Sequence, residues 1–221
     1  MNCIIGVAQY KGGVGKTTLA ISVAAELQKR GHSVALIDAD SQRSACRWAE
    51  PGKLQFPVYE IAFSDQAVSS WIRKLNEVAA DYDYAIVDTA PSARAYVASI
   101  AAAGLIIMPC TPSGLDLEAT VGGLEMVDEI RTSRQGLPRI ILVPNRVDGR
   151  TLEGKQLADE LTALGEVVSP IIGYRSAFVR AFSTGRSIAE TAGGRAGHRE
   201  IQELCNLVEK PFANTLRPVE S

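Results

Sequence analysis

The chain carries two hydrophobic rhythms in alternation. Unbroken apolar runs occupy Cys3 to Ala8, Ser33 to Asp38, Pro57 to Ala62, Tyr84 to Asp88, Gly104 to Cys110 and Arg139 to Asn145. Each has the length of a buried strand. Between them, apolar residues recur at helical spacing. Leu19, Ile21, Val23, Ala24 and Leu27 run up to a stop at Gly31, and Val68, Trp71, Ile72, Leu75 and Val78 follow a capping Ser64. Further helices are expected over Leu115 to Arg131, Leu152 to Leu164 and Arg199 to Lys210. Ser41 is placed to cap a short helix carrying Ala45, Trp48 and Ala49, which Pro51-Gly52 breaks. Strands that read as continuous apolar runs and alternate with helices predict an α/β fold: a mostly parallel, doubly wound sheet with helices on both faces. Without repeats, low-complexity tracts or linkers, residues 1–221 read as one domain, with about 211–221 as a tail beyond Pro211.

Composition adds limits. A chain of 221 residues can bury a full core. Its net charge of −2 excludes a global basic surface, so any nucleic-acid contact must be a local patch. Cys3, Cys46, Cys110 and Cys205 lack C-x-x-C spacing, which points to reduced thiols in a cytosolic protein. The N-terminus has no basic lead-in of a signal peptide, and the apolar stretch Val97 to Cys110 is too short to span a membrane. Trp48 and Trp71 fall at core-like helical positions. His32 and His198 stand alone in the sequence and suggest no role.

The chemistry gathers at Lys11-Gly12-Gly13-Val14-Gly15-Lys16-Thr17-Thr18, between the first strand and the first helix. Glycines let successive N–H groups turn toward an anion, and a helix N-terminus adds partial positive charge. Lys16 would reach phosphates and the Thr17 hydroxyl would ligate Mg²⁺. The general phosphate-loop pattern asks for a glycine at position 10, where this chain has Tyr10, and a second lysine, Lys11, opens the loop. Asp38 and Asp88 end their strands, where open α/β sheets place ligands. Asp88 can hold Mg²⁺ opposite Thr17 or cap a helix. Asp38 and Asp40 alternate along an extended segment, so they point apart: one would support the Mg²⁺ shell, the other face the terminal phosphate and position water. Asn145-Arg146 ends a later strand, and the Asn amide suits either an adenine edge or a turn. Arg175, Arg180, Arg186, Arg195 and Arg199 face only Glu190 between Ile171 and Arg199, a local charge of about +4. Such a cluster fits DNA phosphates, a solvated face or internal ion pairs alike.

The loop resembles the deviant Walker A motif of the ParA/MinD family. Further matches fall at Asp38 to Gln42, Tyr84 to Pro91, Thr111-Pro112-Ser113, Pro144-Asn145-Arg146 and Arg175 to Glu190. The chain looks like a small ParA-type ATPase without an N-terminal helix-turn-helix. The resemblance implies a P-loop NTPase fold, ATP and Mg²⁺ as ligands, Lys11 reaching phosphates across a homodimer, Asp40 as the acid needed for hydrolysis, Asp38 with Thr17 and Asp88 at the Mg²⁺, and Asn145 with Arg146 at the nucleotide, the Asn against the base. Ser41 stands where the family often has proline. It further implies slow, switch-like hydrolysis, nonspecific double-stranded DNA as a partner, and a ParB-like or cargo adaptor protein that stimulates turnover. The expected location is cytoplasmic and nucleoid-associated, with no membrane partner. Three rivals share the fold; one, a reductase-type relative carrying an iron–sulfur cluster, would need paired cysteines near the dimer axis, and only Cys110 falls near the middle of the sheet. A MinD-like membrane cycler needs a C-terminal basic amphipathic helix, whereas the last helix here carries Glu200, Glu203 and Glu209. A small-molecule enzyme of the dethiobiotin-synthetase type would turn over substrate without responding to DNA.

Overall fold

The structure, a computed structural model, describes residues 3–210. Seven parallel strands form one sheet: β1 (Cys3–Val7), β2 (Val34–Asp38), β3 (Val58–Glu60), β4 (Tyr84–Asp88), β5 (Leu105–Cys110), β6 (Arg139–Pro144) and β7 (Val167–Val168). Their spatial order is β3-β2-β4-β1-β5-β6-β7. The helices are α1 (Lys16–Lys29), α2 (Ser44–Ala49), α3 (Val68–Ala79), α4 (Ala93–Ala102), α5 (Gly114–Ser133), α6 (Leu152–Thr162), α7 (Ser176–Thr184) and α8 (Arg195–Glu209).

Period-two alternation within the apolar runs builds two cores. Cys3, Ile5 and Val7, with Leu36, Ile86, Ile107 and Val143, face the layer that holds α1 and α8. Ile4, Ile37, Val87, Ile106 and Leu142 face Trp71 and Leu75 of α3, Tyr96 of α4 and Val127 of α5. Coverage of both sides of the sheet is why the strands read as apolar runs. Tyr96 is fully buried, and its hydroxyl donates to the Gly123 carbonyl at 3.0 Å, tying α4 to α5. Tyr96→Phe should therefore cost about 1 kcal/mol in chemical unfolding, since it leaves that carbonyl without its donor.

Register carries the chemistry to one edge. Val7 pairs with Asp88, and Asp88 pairs with Asp38, so the ends of β1, β4 and β2 lie side by side. Strand order reverses at β1, which sits between β4 and β5. This is the switch point where open α/β sheets bind ligands.

Several local expectations need correction. Ser41 caps nothing: α2 starts at Ser44, after Arg43 in a left-handed conformation, because the Asp40 carboxylate takes the Gln42 N–H and makes a turn first. Ser64 makes no side-chain cap either; a 3₁₀ turn at Asp65–Ala67 precedes α3. β3 is shorter than Pro57 to Ala62 because it is an edge strand that pairs only through Val58–Glu60. Helices α4 and α7 and the edge strand β7 stood out in no hydrophobic pattern, and α8 begins at Arg195, before Arg199. The histidines are not isolated. His198 pairs with Glu26 at 2.8 Å and His32 with Glu209 at 2.9 Å, while Arg30 bonds both acids, pinning α8 onto α1. Ile201, Leu204, Cys205 and Val208 of α8 are consumed in that packing, so its apolar face has no surface to offer a bilayer. No helix among the described residues is long and apolar enough to cross a membrane. The expected tail at about 211–221 lies outside the described residues.

Candidate nucleotide site

The loop between β1 and α1 is held open by its own side chains. Gly15 caps α1 with φ 94°, and a Cβ there would sit 2.5 Å from the Asn145 amide nitrogen, so the position requires glycine twice over. Lys16 is buried, and its ammonium donates to the Lys11 carbonyl at 2.8 Å. Burial also lowers its affinity for a proton, against the pull of Asp88 and Asp40. The Thr17 hydroxyl donates to Asp88 Oδ2 at 2.7 Å.

Asp88 is held against its electrostatic preference. It is 1% exposed, and its Oδ1 has no protein partner among the described residues. Burial pushes its carboxyl up to about 7, although the Thr17 hydrogen bond and Lys16 oppose the shift. An orphaned carboxylate oxygen beside a threonine hydroxyl fits a hard divalent cation, which takes oxygen ligands and shares them with phosphates. Asp88 caps no helix; Ser92 does that for α4, accepting from the Ala95 N–H at 3.2 Å.

The two other acids differ in their surroundings. Asp38 is fully buried, and both its oxygens are taken by backbone: Oδ1 by the Asp40 N–H at 3.1 Å, Oδ2 by the Cys46 N–H at 3.0 Å. It therefore anchors the turn after β2, with one lone pair on each oxygen left beyond its backbone bond. Among the described residues no three His, Cys, Asp or Glu side chains converge as a metal site. Asp40, half-exposed, lines the cleft with Gly12, Gly13, Gly15, Lys16, Thr17 and Thr18. The cleft measures about 520 Å³, room for a nucleotide.

Asn145 and Arg146 clamp the loop from outside. The Asn145 amide donates to the Val14 carbonyl at 2.7 Å, and Arg146, at φ 54°, donates to the Gly13 carbonyl at 2.6 Å. Beyond them Tyr174, Phe178, Val179 and Phe182 form an apolar wall, with Phe182 edge-on to Trp48 at 5.4 Å. The wall drew no expectation from the sequence, although the spacing of Phe178, Val179 and Phe182 on one helical face could have found it.

The arginines scatter. Arg175 forms a two-pronged pair with Glu200, which lies one residue beyond Arg199, so its charge is internally balanced. Arg180 bonds Ser176 and the Ala192 carbonyl and remains exposed. Arg186, Arg195 and Arg199 are exposed as well.

A glycine loop at the switch point, opening a helix with lysine and threonine against a buried carboxylate, defines a nucleotide-binding protein of the phosphate-loop class. The chain belongs to the CobQ/CobB/MinD/ParA nucleotide binding domain family, whose model matches residues 5–188. It is 28% identical over 209 residues to the maintenance of carboxysome distribution protein A of Halothiobacillus neapolitanus, covering 92% of this chain and 95% of that one. Identity to the chromosome-partitioning ATPase Soj of Thermus thermophilus is 30% over 232 residues, 90% of this chain and 93% of Soj. The fold matches apo McdA from Cyanothece with a TM-score of 0.79 at 19% identity, over 93% of this chain and 99% of the other.

Proposed function

We propose that this chain is a Mg²⁺-dependent ATPase switch that positions a cargo on the nucleoid: ATP joins two copies, the dimer holds nonspecific duplex DNA, and an adaptor protein triggers hydrolysis and release. The observation that carries this reading is the cleft itself, where Lys16, Thr17 and Asp88 meet beside Asp40 while a second lysine, Lys11, opens the loop. Mg²⁺ held by Thr17 and Asp88 would offset phosphate charge. Lys16 and the loop N–H groups hold the phosphates, Asn145 and Arg146 keep the loop in shape beside the base, and Asp40 orients the attacking water. Lys11 serves the other subunit's phosphates, which couples association to the nucleotide. Both named relatives, a carboxysome distribution protein and a chromosome-partitioning ATPase, support a positioning role.

The test is salt-dependent binding to arbitrary duplex DNA with and without ATP. Affinity should require ATP and fall steeply with salt. Replacing Arg180, Arg186, Arg195 and Arg199 together with Ala should weaken binding for every sequence. The salt slope should shrink by about 0.9 for each phosphate that is no longer neutralised. Arg175→Ala should do less, because Glu200 already neutralises it. An unchanged affinity in the fourfold variant would remove the DNA surface from these residues.

A further inference from the structure

The sandwich reading asks Lys11 to reach into a second subunit. In the single chain it is turned the other way. Its ammonium is ion-paired with Asp116 in the first turn of α5, and the other Asp116 oxygen accepts the Thr111 hydroxyl. Asp116 is 7% exposed, so the carboxylate is held between these partners out of bulk water. The surrounding scaffold is polar and buried. The Asp116 carbonyl accepts the Thr120 hydroxyl at 2.9 Å, and Thr120 in turn accepts from Gln9, two residues ahead of Lys11.

The backbone of Lys11 is tethered as well, since its carbonyl accepts the Lys16 ammonium at 2.8 Å. Lys16 is the group that a nucleotide's phosphates claim. One residue thus has its side chain held by Asp116 and its backbone held by the phosphate-binding lysine. Phosphates that draw Lys16 away from the Lys11 carbonyl free the backbone of the residue whose ammonium Asp116 retains.

We infer that Asp116 is a positioning residue: it keeps Lys11 folded back on its own subunit while the loop is empty, and phosphate binding at Lys16 loosens that hold. The inference rests on the proposed cross-subunit role of Lys11. The partner's phosphates then compete with Asp116 for a single ammonium, so the ion pair sets how much nucleotide is needed before two copies join. A bound nucleotide that left Lys11 clamped would give a poor dimer.

The experiment is acylation of lysines in the nucleotide-free full chain by an amine-reactive ester, read residue by residue by mass spectrometry with exposed Lys29 as internal standard. In the native chain ADP, which supplies phosphates to Lys16, should raise Lys11 labelling severalfold. Asp116→Asn keeps the shape and an acceptor for Thr111 but removes the charge. It should raise Lys11 labelling about fivefold without nucleotide, and ADP should add little. Sedimentation should then show the variant dimerising at several-fold lower ATP. Asp116→Ala, which removes the carboxylate outright, should give a rise at least as large and serves if Asp116→Asn does not fold. Lys11 labelling in either variant equal to the native rate would overturn the hold by Asp116. An unchanged rate with ADP would overturn the link through Lys16. Should the variant label faster while neither protein dimerises with ATP, the hold stands and the sandwich reading falls.

Discussion

Asp88→Asn is expected to yield a nucleotide-free protein that unfolds at higher temperature and an ATPase slowed at least a hundredfold. Both effects come from the same carboxylate. The carboxyl is raised from 3.8 to about 7 because the folded chain buries it without a partner for Oδ1. In the unfolded chain the group ionises near its ordinary value. Below about pH 4 it is protonated in both states and exerts no penalty; between about pH 4 and 7 the unfolded chain gives up the proton that the folded chain keeps, so stability falls across that window and levels off above about 7, where the folded state carries a buried charge. A shift of about three units corresponds to roughly 4 kcal/mol at the upper limit, of which about 2 would suffice for a shift in Tm of about 5 °C in a chain of this size. The neutral amide removes the penalty while still accepting the Thr17 hydroxyl. The gap between variant and native Tm should be full above about pH 7, as at pH 8, smaller at pH 5, and closed only near pH 4. Activity moves the opposite way, because a neutral oxygen binds a hard divalent cation poorly. Calorimetry across that pH range and a phosphate-release assay check both halves; a variant less stable than the native chain at pH 8 would show that Asp88 is held by contacts, not strained by burial. This is the trade of stability for function that buried active-site charges commonly show.

How far the sequence foretold this molecule depended on how far apart the interacting residues lie along it. Strands buried on both faces betray themselves as apolar runs, so six of the seven strands could be placed; the two-residue β7 has too little sequence to register. Helix α4 was hidden because Ala-Arg-Ala-Tyr-Val-Ala-Ser-Ile-Ala-Ala has almost no polar face and merges with the run that becomes β5. Helix α7 was hidden for the reverse reason. Only Ala177 and Ala181 turn to the core, while Val179 and Phe182 face outward into the cleft and blur the pattern.

The strand, glycine loop and helix that frame the nucleotide cleft were legible, since their residues are contiguous. Pairings across the fold were not. Lys11 and Asp116 are 105 residues apart, and Glu26 and His198 are 172 apart. No spacing rule relates them, and only the parallel register and the docking of α8 bring them together. The structural part that Asp38 plays was hidden for a subtler reason. Alternation along the strand separated Asp38 from Asp40 correctly, but which of the two meets solvent depends on the turn that follows, and there the backbone itself claims Asp38.

That distinction makes Asp40 the sharper test of chemistry. Asp40→Ala should leave ATP binding within a few-fold of the native chain and cut hydrolysis by about two to three orders of magnitude. Binding survives because the loop, Lys16 and the Thr17–Asp88 pair are untouched, and because Asp38 still holds the turn through the residue-40 N–H, which alanine retains. Hydrolysis should collapse because, in the proposed mechanism, the Asp40 carboxylate at the cleft wall positions the attacking water, a contribution of about 10² to 10⁴. The bound nucleotide then persists, so the variant should accumulate as an ATP-held dimer that stays on DNA after the native protein has let go. Equilibrium nucleotide binding, single-turnover hydrolysis and sedimentation of the same preparation separate these effects. Native hydrolysis rates in Asp40→Ala would place the water elsewhere in the cleft. Loss of ATP binding would instead mean that the turn after β2 is built by Asp40 through its bond to the Gln42 N–H, leaving Asp38 a lesser part.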